Sequence, residues 1–137
     1  MSQQIKRVLI VDDELTIVQS IHRHLRRKGF EIENAGNGKE AADYIRLSAQ
    51  QGTPVDLVIT DIVMPKMDGI QLLKWIQETY PEIHVIILTG FGESDIANEA
   101  IRPGIDRFGA KPITPEAMME LIASIKPQTR HRSSEPI

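Results

Sequence analysis

Six residues that can hold a metal ion or a phosphate group lie directly after predicted strands of this 137-residue sequence. They are Asp12 and Asp13, Asp61, Thr89 and Gly90, and Lys111. Carboxylates that are placed together repel one another unless a cation lies among them. Because the sequence has no cysteine, an all-oxygen ligand set favours Mg²⁺. We therefore expect a Mg²⁺ site, in which the positive charges of the metal ion and Lys111 balance the three acids.

The same residues suit the transfer of a phosphoryl group to a carboxylate. Asp61 is the candidate nucleophile, because a metal ion and fixed donors can neutralise the charge that spreads over the transferred oxygens. The Thr89 hydroxyl, the Gly90 backbone N–H and the Lys111 ammonium are the candidate donors. Each residue alone also has a structural interpretation, such as Asp13 as a helix cap or Lys111 as a loop residue. Only their convergence favours the chemistry.

Alternating strands and helices are predicted to position these residues. The strands span 8–11, 30–35, 55–60, 84–88 and 105–110, and the helices span 14–28, 39–51, 69–80, 94–101 and 115–125. Continuous apolar runs such as Val8 to Val11 are typical of strands buried on both faces of a parallel sheet. Five strands and five helices in alternation predict a doubly wound α/β domain. Ligands bind such sheets outside the carboxyl ends of the strands, where the six residues fall.

The composition fits one globular domain. Hydrophobic residues make up 41% and charged residues 26% of the chain, which excludes disordered and disulfide-scaffold classes. A net charge of −3 argues against direct binding of nucleic acid or an anionic membrane by the whole chain. Four apolar residues in a row before Asp12 are too few for a signal peptide or a membrane span, so we expect a cytoplasmic protein without membrane insertion. The polar stretch 127–137 is expected to be a tail or linker stub.

The motifs taken together resemble the receiver domain of two-component response regulators, among them the chemotaxis response regulator. The resemblance covers about residues 5–126 and rests on Asp12-Asp13, Asp61 in VITDIVMPKMDG, Thr89 in VIILTG, and Lys111-Pro112. It implies a flavodoxin-like, five-stranded parallel sheet of order 2-1-3-4-5. It also implies phosphotransfer from a histidine kinase to Asp61. Such a domain is a signalling phosphoacceptor that assists its own phosphorylation and dephosphorylation, rather than an enzyme.

The resemblance further assigns the metal ligands residue by residue. Asp13 and Asp61 match the direct Mg²⁺ ligands, and the carbonyl of Val63 matches the backbone ligand. Asp12 matches the acid that usually acts through water. Val63 and Phe91 are apolar where many members have polar groups near the hydrolytic water, so we expect slow self-dephosphorylation.

The resemblance also implies a switch. Lys111 matches the lysine that pairs with the phosphate, Thr89 matches the switch hydroxyl, and Phe108 matches the aromatic residue that turns inward when that hydroxyl moves. The alternative that Phe108 is an ordinary core aromatic stays open. Pro103 and Gly109 are unusual beside this switch and are expected to alter its stiffness. The output surface would comprise the helix at 94–101, the fifth strand and the last helix.

The implied partners are a histidine kinase or histidine phosphotransfer protein, and a downstream protein target on that output surface. The expected oligomeric state is a monomer or a phosphorylation-dependent dimer.

The first predicted helix contains a run of basic residues: His22, Arg23, His24, Arg26, Arg27 and Lys28. It is interpreted as a solvated helix end, with a kinase-docking face as the alternative.

Two other functions fit the sequence less well than that of a receiver domain. A flavodoxin-like cofactor binder needs a phosphate cradle after the first strand, where Asp12 and Asp13 would repel phosphate. A phosphatase with an aspartyl-phosphate intermediate usually needs an acid two residues after its nucleophile, where this chain has Val63. A phosphorelay intermediate and an excised receiver of a larger DNA-binding or enzymatic regulator both stay open.

Overall fold

Five parallel strands form one sheet in the computed structural model, which describes residues 5–12, 15–61, 69–89, 107–110 and 113–125. The strands are β1 (Arg7–Val11), β2 (Glu31–Ala35), β3 (Leu57–Asp61), β4 (His84–Thr89) and β5 (Arg107–Ala110). The described helices are α1 (Leu15–Arg27), α2 (Gly38–Gln50), α3 (Gly69–Thr79) and α4 (Pro115–Ala123). The strand order is β2-β1-β3-β4-β5. The predicted parallel α/β arrangement is confirmed, while the helix predicted at 94–101 lies outside the described residues.

The core lies in two layers, one on each face of the sheet. Alternation along β1 sends Leu9 and Val11 to the layer formed with α2 and α3, and sends Val8 and Ile10 to the layer formed with α1 and α4. All four side chains are at most 1% exposed. The central strands are therefore apolar on both faces, which explains why their sequences show continuous apolar runs instead of alternation.

The edge strand β2 has a different character. Only Ala35 among its five residues is buried, and Glu31, Glu33 and Asn34 are exposed. Charged side chains on an edge strand discourage pairing with another chain. Ile32 packs with α1, whereas Ala35 packs with α2 and α3, so the strand contributes to both layers.

Local sequence signals set the ends of the helices. Gly29 has a φ of 100°, a conformation that favours glycine, and it follows α1 where the sequence predicted a stop. Asn37 caps α2 by accepting from the Glu40 N–H at 2.9 Å, while the Glu40 side chain accepts from the Gly36 N–H at 2.9 Å. Within the described residues, no helix is long and apolar enough to cross a membrane.

The last helix packs very closely against β5. A Cβ atom at Gly109 would lie 2.9 Å from Leu88 Cδ2, 3.0 Å from Leu121 Cδ1 and 3.1 Å from Ile113 Cδ1. Only a residue without a side chain fits there unless its neighbours move. The position that the sequence analysis marked as unusual is therefore a tight contact between β4, β5 and α4.

Aromatic side chains cover the outside of the opposite layer. Trp75 on α3 packs against the core formed with α2 and α3, and meets Tyr80 edge to face at 5.5 Å between ring centroids. The Arg46 guanidinium lies 5.4 Å from the centroid of the Trp75 ring. These contacts join α2 to α3 on one face of the sheet.

Candidate functional site

The carboxyl edge of the sheet brings two of the predicted acids side by side. Val11 pairs with Thr60 in the register of β1 and β3, so Asp12, one residue further on, lies level with Asp61. Adjacent strands are about 4.8 Å apart. Asp61 pairs with Leu88 in β4, which places Thr89 one residue beyond the level of Asp61. Two carboxylates and the backbone of Thr89 thus converge on one edge.

Asp12 is fixed by the strand pairing that precedes it. Its backbone N–H donates to the Ala35 carbonyl at 3.0 Å, which continues the pairing of β1 with β2 one residue past the strand. The residue is only 3% exposed. Its carboxylate is consequently held at the top of a rigid strand, largely shielded from bulk water.

Asp61 is the last residue of β3. The sequence analysis predicted that the strand would end at residue 60, with Asp61 directly after it. It is 6% exposed. The Thr60 hydroxyl donates to the Asp61 carbonyl at 3.0 Å, and Thr60 is itself 1% exposed. This bond orients the peptide group at the point where the chain leaves the sheet.

Two neighbouring buried carboxylates need a cation to compensate their charge. Removing ionised carboxylates from water is costly, and their mutual repulsion adds to that cost unless a cation compensates. Hard carboxylate oxygens are ligands suited to Mg²⁺. Within the described residues, no group of three or more His, Cys, Asp or Glu could hold a metal ion. The third predicted acid, Asp13, lies outside these residues.

The other predicted site residues are described only in part. Thr89 and Phe108 have their backbones placed in β4 and β5, where Phe108 pairs with Ile87. The remaining three predicted residues lie outside the described residues: Val63, Gly90 and Lys111. Their roles remain predictions.

Thr60 is the residue near the site that the sequence analysis did not identify. A hydroxyl inside an otherwise apolar strand, directly before the candidate nucleophile, was the available signal. Buried hydroxyls usually take a hydrogen-bond partner, but the identity of that partner is visible only in the folded strand.

Comparison with known proteins places this geometry in a family. The sequence profile described as the response regulator receiver domain matches residues 8–123. The chain is 37% identical over 125 residues to the response regulator GtcR of Aneurinibacillus migulanus, a match covering 91% of this chain and 48% of GtcR. It is 33% identical over 119 residues to the chemotaxis protein CheY of Treponema pallidum, covering 87% of this chain and 81% of CheY.

Solved structures agree with the sequence comparison. The crystal structure of a response regulator receiver domain protein from Clostridium thermocellum superposes with a TM-score of 0.77 at 32% identity. The match covers 95% of this chain and 99% of that chain. The profile spans most of the chain, and the described part of the structure has the same fold. This chain therefore belongs to the receiver domains of two-component response regulators.

Proposed function

We propose that this domain accepts a phosphoryl group on Asp61 from a histidine kinase in a Mg²⁺-dependent reaction, and then switches an output surface through Thr89 and Phe108. Receiver domains are signalling domains, not classical enzymes, and they interact with histidine kinases and downstream effectors. The observation that carries the proposal is the pair of buried carboxylates, Asp12 and Asp61, side by side at the carboxyl edge of a receiver fold.

The proposed metal ligands are the carboxylates of Asp13 and Asp61 and the carbonyl of Val63, with Asp12 acting through water. Receiver domains of this family use Mg²⁺, and the hard oxygen donors of Asp12 and Asp61 fit that ion. When bound, Mg²⁺ supplies positive charge that offsets the acids and the incoming phosphoryl oxygens. Burial of the two aspartates at the ends of rigid strands keeps their oxygens in place before the donor arrives.

In the proposed transfer, an Asp61 carboxylate oxygen forms a bond to phosphorus while the bond from phosphorus to the donor histidine nitrogen breaks. The departing imidazole keeps the electron pair of that bond. The Lys111 ammonium, the Thr89 hydroxyl and the Gly90 N–H donate to the transferred oxygens. The same groups assist the later hydrolysis of the aspartyl phosphate by water.

The proposed switch follows from the change in charge. A phosphorylated Asp61 has about −2 in place of −1, and this draws the Thr89 hydroxyl toward the phosphoryl group. Phe108 then turns inward from β5. The close packing of α4 at Gly109 supports a link from β5 to α4. The output surface comprises β5, α4 and the helix predicted at 94–101, and it binds a protein target, with the domain as a monomer or a phosphorylation-dependent dimer.

A second candidate is control of further modules in a longer protein. The chain spans about half the length of GtcR, at 48%. In that arrangement the receiver unit, residues 5–126, would act through the stretch at 127–137 on an attached module. Relay of the phosphoryl group to another histidine protein is the remaining version of the same chemistry.

Intact mass spectrometry after incubation with acetyl phosphate tests the proposal. We expect the wild type to gain one phosphoryl group with Mg²⁺ and none with a chelator, while Asp61→Asn gains none under either condition. Asp43→Asn is the matched control, because this exposed acid on α2 pairs only with surface cations among the described residues. A wild type that stays unmodified with Mg²⁺, or an Asp61→Asn variant that is modified, would refute phosphotransfer to Asp61.

A further inference from the structure

Positive charge is concentrated on one helix of this acidic domain. From residue 15 to residue 30 the sequence has four basic side chains and no acidic one: Arg23, Arg26, Arg27 and Lys28. The rest of the chain has 12 basic and 19 acidic residues. The segment 15–30 therefore has a net charge of +4, whereas the other residues together have a net charge of −7. The overall net charge of −3 conceals this separation.

The three arginines line an open, shallow groove on the surface of α1. The groove has a volume of about 440 Å³ and is lined by Gln19, His22, Arg23, Arg26 and Arg27. Spacings of three and four residues place these side chains on one face of the helix. On the opposite face, Ile21 and Leu25 are at most 1% exposed and anchor α1 to the sheet. This set of five residues is called the α1 groove below.

The arginines of the α1 groove have no acidic partner within the part of the chain that the structure describes. The ion pairs there join other cations to acids: Arg7 to Glu31, and both Lys39 and Arg46 to Asp43. An acidic segment that reached the α1 groove would therefore meet guanidinium groups that no described carboxylate already occupies.

The acids of the neighbouring strand β2 point away from the α1 groove. Glu31 and Glu33 lie on the α2 side of the sheet, where burial and, secondly, the Glu33 carboxylate raise the pKa of Tyr44. On the α1 side, β2 presents Asn34, whose Oδ1 lies 3.2 Å from His22 Nδ1. The strand next to the groove thus offers a neutral amide in place of a carboxylate.

We propose that the α1 groove docks an acidic segment of a protein partner. Guanidinium groups bind carboxylates through paired hydrogen bonds. Arg23 and Arg27 are separated by a rise of about 6 Å along the helix, which suits acids one helical turn apart in the partner. This docking needs no phosphoryl group, so it does not depend on the chemistry proposed for Asp61.

The charge distribution favours a short protein segment over nucleic acid. A duplex has a dense, extended row of phosphates, and the acidic remainder of the domain would repel those that pass beyond α1. Screening acts over about 8 Å at physiological salt, less than the width of the domain. A short acidic segment can bind within the α1 groove without reaching the acidic remainder of the domain.

Binding of a dye-labelled helical peptide, measured by anisotropy, tests this proposal. The probe has Glu at positions i, i+3, i+4 and i+7, and its reference has Gln at the same positions. We expect the Glu peptide to bind the wild type roughly tenfold more tightly than the Gln peptide, from a few exposed ion pairs. The triple variant Arg23→Gln, Arg26→Gln, Arg27→Gln is expected to lose that difference.

A variant with the same change in net charge provides the control. Lys6→Gln, Lys39→Gln, Lys74→Gln removes three exposed cations elsewhere, and we expect the affinity for the Glu peptide to change by less than about twofold. Circular dichroism confirms that both variants are folded. Equal weakening by the two variants, or unchanged binding in the arginine variant, would overturn the proposal.

Two further measurements separate this proposal from its alternatives. Duplex DNA that binds the wild type more tightly than the Glu peptide and displaces it would replace the acidic segment by nucleic acid, and would also overturn the proposal. The Asp61→Asn variant is expected to bind the Glu peptide like the wild type. Loss of phosphotransfer and loss of docking are thereby distinguished.

Discussion

Aspartate has different roles at the two ends of the strands, called here the amino edge and the carboxyl edge of the sheet. At the amino edge, the Asp56 carboxylate accepts from the backbone N–H groups of Lys6 at 3.0 Å and Arg7 at 2.9 Å. At the carboxyl edge, Asp12 and Asp61 lie level with each other and are almost fully buried. The start of β1 supplies backbone donors that satisfy an acid, whereas the other edge places one acid beside another.

This difference shows that strand position, more than residue type, decides what an aspartate does here. Asp56 fastens the start of β1 to the segment that leads into β3, so its charge is compensated within the backbone. The acids at the carboxyl edge repel one another and favour a cation from solution. Stability measurements with and without Mg²⁺ can therefore tell the two edges apart.

The largest expected effect is the stabilisation of the carboxyl edge by Mg²⁺. At a concentration 100 times its dissociation constant, the ion should raise the free energy of unfolding of the wild type by about 2.7 kcal/mol. Asp61→Asn should lose most of this gain while remaining at least as stable as the wild type in chelator, because one of two neighbouring charges is gone. Urea unfolding in both conditions measures this, and an equal gain in the variant would contradict a site at Asp61.

The amino edge should respond to mutation but not to the ion. Asp56→Ala removes two hydrogen bonds to a charged acceptor, and we expect it to lower the free energy of unfolding by about 2 kcal/mol with or without Mg²⁺. Asp43→Ala, at an exposed position on α2, should cost less than about 1 kcal/mol. Similar losses in the two variants would show that Asp56 does not fasten β1.

The smallest expected effect concerns the backbone under the candidate nucleophile. Thr60→Val removes the hydroxyl that donates to the Asp61 carbonyl, and we expect a loss of about 1 kcal/mol in the free energy of unfolding. It should also slow phosphorylation by acetyl phosphate, whereas Thr60→Ser should restore both values. A Thr60→Val variant with reduced stability but an unchanged phosphorylation rate would limit Thr60 to a structural role.

The sequence was sufficient to predict the features that depend on short-range patterns. The strand containing Val8 to Val11 and the end of α1 at Gly29 were predicted within two residues, because apolar runs and glycine signals are local. The placement of Asp12 and Asp61 at one edge followed from the rule for parallel sheets. The strand order 2-1-3-4-5 came from the family resemblance, and periodicity alone does not specify it.

Features that depend on distant residues could not be predicted. The close contacts around Gly109 involve Leu88 and Leu121, which only the folded chain brings to it. The hydrogen bonds of Asp56 join it to residues about fifty positions earlier, and nothing in the local sequence marks them. By contrast, the basic run of α1 was visible in the sequence, although the net charge of −3 conceals it.

The position of Trp75 has a practical consequence for optical work on this domain. It is the only tryptophan in the sequence, and it packs with Tyr80 and Arg46 on the face of the sheet that α2 and α3 cover. The proposed output surface includes α4, which covers the opposite face. Intrinsic emission thus serves as a built-in reference signal, and a dye placed on α4 would be the reporter to read against it.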